Sequence, residues 1–172
     1  MEYLMANKDF PFGLRPVRHL NGNPWNGAVR KYCILAAVTN AIGIGEAVIK
    51  TTDGADATGI PYIDIATATD GYLITGVVVG FAPIPGDLSN NYRKTGALSA
   101  DRYCYVCDDP DVVFEIQCSG TMTQSYFGLN AEIIRTHTVN TTTGLSGTEL
   151  DITTDTPDAD ASNQLLILGL AQ

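Results

Sequence analysis

One stretch restricts the fold more than any other: Gly71-Tyr72-Leu73-Ile74-Thr75-Gly76-Val77-Val78-Val79-Gly80-Phe81-Ala82-Pro83. Three consecutive β-branched valines favour extended backbone. Two glycines inside the run weigh against a helix. Gly80 and Pro83 mark the exit. The run predicts a central strand, bent or bulged at Gly76. Thr69-Asp70-Gly71 reads as the turn that enters it.

Further short strands follow the same logic. Tyr32 to Val38, Glu46 to Thr51 and Pro61 to Thr67 are apolar or alternating runs bounded by turn residues, with a helix also open to the first through Ala36 and Ala37. Arg102 to Cys107 and Asp111 to Gln117 flank Asp108-Asp109-Pro110, which predicts a turn and a hairpin over 102–117. Asn130 to Thr136 suits a strand or a short helical turn. Asn163 to Leu170 predicts a closing strand tied into the core. Residues 82–100 hold Pro83, Pro85, Gly86 and Asn90-Asn91 with little periodicity, and read as a long surface loop. Seven to nine strands with no strand–helix alternation predict an all-β chain, a single small β-barrel or β-sandwich, jelly-roll-like. The 172 residues suffice for one domain with a real core.

Residues 1–31 stand apart as an extended N-terminal arm, with residues 32–172 as the body. Pro11, Pro16 and Pro24 with Gly13, Gly22 and Gly27 exclude a long helix. Phe10, Phe12, Leu14, Val17, Leu20 and Trp25 are too apolar for a disordered tail. Such an arm must dock, either on its own domain or on a neighbouring subunit. Phe10, Phe12, Leu14, Arg15, Arg18 and Trp25 are therefore the candidate partner-binding residues, since aromatic and arginine side chains dominate interface energetics.

Charge is low in amount and uneven. Only 17% of residues are charged and the net charge is −9. Residues 1–50 hold six Lys/Arg against three Asp/Glu, a net of +3; the remainder hold four against sixteen, a net of −12. An acidic body lacks the basic patch that nucleic acid requires. No run approaches the eighteen apolar residues of a membrane span. Met1-Glu2-Tyr3-Leu4 lacks the basic start and apolar stretch of a secretion signal, so cytoplasmic synthesis and reduced thiols are expected.

Sites of chemistry are hard to find. Cys104 and Cys107 have CxxC spacing, but a strand points residues three apart to opposite faces, and no second close pair completes a zinc site. His19 lies in the arm and His137 at a strand edge, and no Gly-x-Ser-x-Gly motif surrounds a serine. Asp108, Asp109 and Asp111 read as turn residues capping backbone groups. No catalytic residue, no cofactor and no metal ligand is assigned, and the chain does not read as an enzyme.

Several segments together are similar to a known family. Pro11 to Gly22, Gly76 to Phe81, Tyr92-Arg93, Arg102 to Glu115, Gly128 to Ala131, Thr142 to Gly147 and Leu165 to Leu170 resemble, in order along nearly the whole chain, the capsid cement (decoration) proteins of tailed bacteriophages. The resemblance implies a virion structural protein. It would bind the outer surface of an icosahedral shell built from HK97-like major capsid protein and clamp neighbouring subunits. It also implies self-association as a dimer or trimer, synthesis in the host bacterial cytoplasm, and no catalytic residues. The alternative from the residues is a free carbohydrate- or protein-binding β-module of a phage fibre or adhesin.

Overall fold

The computed structural model describes residues 9–67 and 73–171, and the chain in it is all-β. Its strands are β1 (Arg15–His19), β2 (Arg30–Ile34), β3 (Ala47–Ala55), β4 (Pro61–Ile65), β5 (Gly76–Phe81), β6 (Arg102–Cys107), β7 (Val112–Glu115), β8 (Asn130–Ala131), β9 (Ile133–Arg135), β10 (Thr148–Leu150) and β11 (Leu165–Leu166). Among the described residues the only helical element is a single 3₁₀ turn at Gln124–Tyr126. None of their helices is long and apolar enough to cross a membrane.

Five strands close a barrel in the order β2-β4-β3-β5-β6. The seam back to β2 is antiparallel, from Arg30 opposite Val106 to Ile34 opposite Arg102. The β2–β4 junction is parallel and registers at Cys33 and Tyr62. Alternation decides what goes inside: Tyr32 and Ile34 on β2 face Cys104 and Val106 on β6, joined by Ile42, Val48, Ile63 and Val78. Each fully buried aliphatic side chain contributes about 1.5–3 kcal/mol. The opposite faces of β3 and β5 are also covered. Ala47 and Val77 pack with Leu14, Ala66 and Ile133 in a second cluster outside the barrel wall. A third cluster, Ala131, Leu150, Ile152 and Ile167, lies beneath the C-terminal segment.

Several expectations are corrected. β6 and β7 do not form a hairpin. Both edges of β6 are already paired, with β2 and β5, so β7 leaves the barrel and pairs with arm strand β1. The irregularity in β5 falls between Val78 and Gly80, not at Gly76. Gly76 instead permits a close approach, since a Cβ there would lie 2.4 Å from the Cys107 carbonyl oxygen. The start of the predicted central strand, Gly71-Tyr72, and its entry turn lie outside the described residues. β2 begins at Arg30, inside the arm boundary drawn at residue 31. The closing strand is shorter than expected: Leu165–Leu166 pair with β8, Ile167 bonds through its backbone to Gly128 and Leu129, and Leu166, Leu168 and Leu170 are exposed while Ile167 is buried.

The loop 82–100 is not a surface excursion throughout. Arg93 is 1% exposed, and its backbone pairs with Ile42. Its guanidinium donates to the carbonyls of Asn40 at 2.9 Å, Lys94 at 2.7 Å, Ala36 at 3.1 Å and Val38. Arg102 is buried as well and donates to the Ala82 and Asn90 carbonyls. Arginine suits this role because one planar group presents five donors. Arg93→Met retains bulk but removes the donors, leaving carbonyls without their charged partner. It is expected to cost about 3 kcal/mol or more, read as a lowered urea midpoint. An unchanged midpoint would mean that water replaces the guanidinium at no cost.

Candidate partner-binding surface

The arm folds onto its own domain. β1 pairs antiparallel with β7, from Arg15 opposite Glu115 to His19 opposite Val112, with a bulge between Pro16 and Arg18. Pro16 is tolerated because β1 is the outer strand of a two-stranded sheet. The chain then reverses over Asn21–Pro24. The His19 amide donates to the Asn23 carbonyl at 2.8 Å, and the Trp25 amide to the Val17 carbonyl at 3.2 Å. The arm is therefore bent back on itself rather than extended along its length, and Trp25 returns beside Phe12.

A backbone crossing fixes its position. Gly13 and Gly45 touch without side chains between them. A Cβ on Gly13 would lie 2.3 Å from the Gly45 carbonyl oxygen, and one on Gly45 would lie 2.4 Å from the Phe12 carbonyl oxygen. Both residues have positive φ, +72° and +87°. The Leu14 amide donates to the Gly45 carbonyl at 2.8 Å. The crossing sends Leu14 into the core against Ala47 and Val77, and leaves Phe12 at the surface.

Four of the six residues singled out in the sequence meet in one groove of about 630 Å³. Phe12, Leu14, Arg15 and Trp25 line it together with Val29, Val79, Tyr105 and Leu145. The Arg15 guanidinium lies 5.2 Å from the Phe12 ring centroid and 2.6 Å from Glu115 Oε2, yet its side chain is 62% exposed. Trp25 is half-buried, and its indole N–H has no hydrogen-bond acceptor among the described residues. Such a surface combines apolar area with a cation and an unused donor. The other two candidates lie elsewhere. Arg18 lines a second groove of about 870 Å³ with Phe127, Leu168 and Leu170, and Phe10 is exposed outside both. Leu14 is 3% exposed, so its contribution is chiefly to the chain's own core.

The remaining titratable groups are dispersed. Asp109 faces His19 at 3.6 Å, Asp108 pairs with Arg30 at 3.1 Å, and Glu115 is held by Arg15. The Asp109 carboxylate also accepts from the Asp111 amide, as a turn aspartate should. His137 lies instead beside Asp9 and Glu149. All four cysteines are free thiols. Cys104 belongs to the barrel core, where burial pushes its pKa up to about 12; Cys33 rises to about 11 for the same reason. Neither thiol ionises readily, and such thiols are poor nucleophiles and poor metal ligands.

Sequence reasoning missed Val29, Val79 and Tyr105 as groove residues, and also the exposed row Leu166, Leu168 and Leu170. The signal was present in Tyr105, an aromatic at the outward position of an alternating strand. No family model matches the chain, and neither a curated protein nor a solved structure matches it.

Gly13→Ala places a methyl against a backbone carbonyl at positive φ. It is expected to cost at least about 2 kcal/mol and to make residues 9–27 the first site of limited proteolysis. Gly22→Ala has open space around the added Cβ and is expected to cost only its backbone strain, about 1 kcal/mol. Equal losses for the two would contradict the crossing as the arm's anchor.

Proposed function

We propose that this chain is a capsid cement protein of a tailed bacteriophage. In this reading it binds the outside of an expanded shell of HK97-like major capsid protein and clamps neighbouring subunits. The observation that carries the reading is the arm-built groove. Phe12, Arg15 and Trp25 converge there on a rigid barrel, and they are the residue types that act as interface anchors. The family resemblance described above supports the same role.

The physics of cementing suits this surface. Proline and the glycine crossing pre-order the arm, which lowers the entropy lost on docking. A shell repeats its binding site by symmetry, so an oligomer gains avidity from modest contacts. Closed symmetry, as a dimer or trimer, is the expected form of that oligomer. Binding that favours the expanded shell stabilises it against internal pressure by linkage. In this reading Arg15 and Arg18 meet acidic groups of the shell, while the acidic body faces solvent or a basic patch.

Co-sedimentation with expanded shells lacking the chain, and in parallel with unexpanded shells, tests the proposal. Saturable binding to expanded shells alone is expected. Trp25→Ala should weaken that binding about thirtyfold, as for the loss of a hot-spot residue of about 2 kcal/mol. Arg15→Ala combined with Arg18→Ala should reduce occupancy further. If the folded protein bound neither shell, the proposal would fail, and a ligand-binding module of a fibre or adhesin would become the better reading.

A further inference from the structure

We propose that Asp9, His137 and Glu149 form a binding site for a transition-metal dication, of the class zinc belongs to, which clips the start of the arm to the β9–β10 sheet. These residues are more than a hundred positions apart at the extremes, yet one donor atom from each lies within 4.8 Å of one from each of the others. Asp9 precedes the arm strand, His137 follows β9, and Glu149 lies on β10 opposite Ile134.

The surroundings hold the two carboxylates together. The Gln117 side-chain amide donates to Asp9 Oδ1 and to Glu149 Oε1, each at 3.2 Å. That leaves Asp9 Oδ2 facing His137 Nε2 at 3.8 Å, with Glu149 Oε2 at 3.9 Å from Nδ1. The Thr136 hydroxyl lies 2.9 Å from His137 Nδ1 and also donates to Glu149. Nδ1 therefore faces Thr136 and Glu149, while Nε2 faces Asp9.

The charge balance of the cluster suits a cation, although both Glu149 oxygens already accept hydrogen bonds, from Gln117 and Thr136. The Glu149 side chain is 3% exposed, and among the described residues neither it nor Asp9 has a Lys or Arg within ion-pair distance. A buried carboxylate ordinarily requires a compensating charge. The donor set, one imidazole and two carboxylates, suits zinc, manganese or cobalt better than magnesium or calcium, which prefer all-oxygen ligands. Ligands of a tetrahedral zinc stand roughly 3.4 Å apart, so closing the site requires the exposed His137 ring to turn one nitrogen toward both carboxylates and Asp9 to move in beside it. Three protein donors leave at least one position for water.

The site does not depend on the capsid reading, and its test uses the full purified chain without shells. After EDTA treatment and dialysis, calorimetric titration with ZnCl₂ is expected to show one equivalent bound, and MgCl₂ none. Amide exchange at residues 9–14 should slow when zinc is present. His137→Ala and Asp9→Asn should each weaken binding about tenfold or more, and Gln117→Leu about tenfold as a positioning residue. His19→Ala should leave it unchanged. Absence of zinc binding, or binding unaltered by His137→Ala, would overturn the proposal; the latter would assign the metal to His19 or the thiols.

Discussion

The arm surface rests on one backbone crossing. Gly13 and Gly45 meet carbonyl to Cα, at a separation that no side chain on either residue permits. The consequences run in both directions along the chain. C-terminal to the crossing, Leu14 enters the second core cluster and β1 aligns with β7. N-terminal to it, Phe12 stays at the surface where Trp25 returns to meet it. A groove that looks like a property of aromatic side chains is thus set by two missing methyl groups.

The next residue extends the same constraint into the body. Glu46 follows Gly45, is fully enclosed, and lies 3.4 Å from Arg135 on β9 while accepting from the Thr148 hydroxyl on β10 at 2.7 Å. Burial pushes the Glu46 pKa up, and the Arg135 guanidinium opposes that shift. Buried pairs of this sort cost desolvation free energy, and one well-attested use for them is register. Here the pair aligns the β9–β10 sheet against the barrel at the point where the arm crosses. Arg93 and Arg102 do comparable work around the loop 82–100, with backbone carbonyls in place of carboxylates.

Much of the architecture was legible in the residues. β6 occupies Arg102–Cys107 as its alternation predicts, and Pro61 to Ile65 and Gly76 to Phe81 are strands as expected. The all-β class follows from such segments together. Pairing was less legible. Asp108-Asp109-Pro110 has the chemistry of a local turn, but whether the next strand returns depends on which edges of β6 are already taken. Arg93 was misread because a charge in a Pro/Gly-rich loop suggests solvent, and nothing local reveals four carbonyls converging on it. At the C-terminus, the expected closing strand is tied into the core through Ile167, whereas alternation with a single buried side leaves every second residue, Leu166, Leu168 and Leu170, outside. Phe12, Arg15 and Trp25 could be singled out by type, but their convergence could not, because it requires the reversal at Asn21–Pro24. Asp9, His137 and Glu149 carry no sequence signal at all, since each belongs to a different part of the fold.

The cementing role is tested most directly by a cryo-electron microscopy reconstruction of expanded shells decorated with the protein. The groove lined by Phe12, Arg15 and Trp25 should be covered by major capsid protein or by a neighbouring copy bridging to it, with the indole N–H of Trp25 given an acceptor. A reconstruction in which that groove faces open solvent, and the shell is held by some other face of the barrel, would contradict the account.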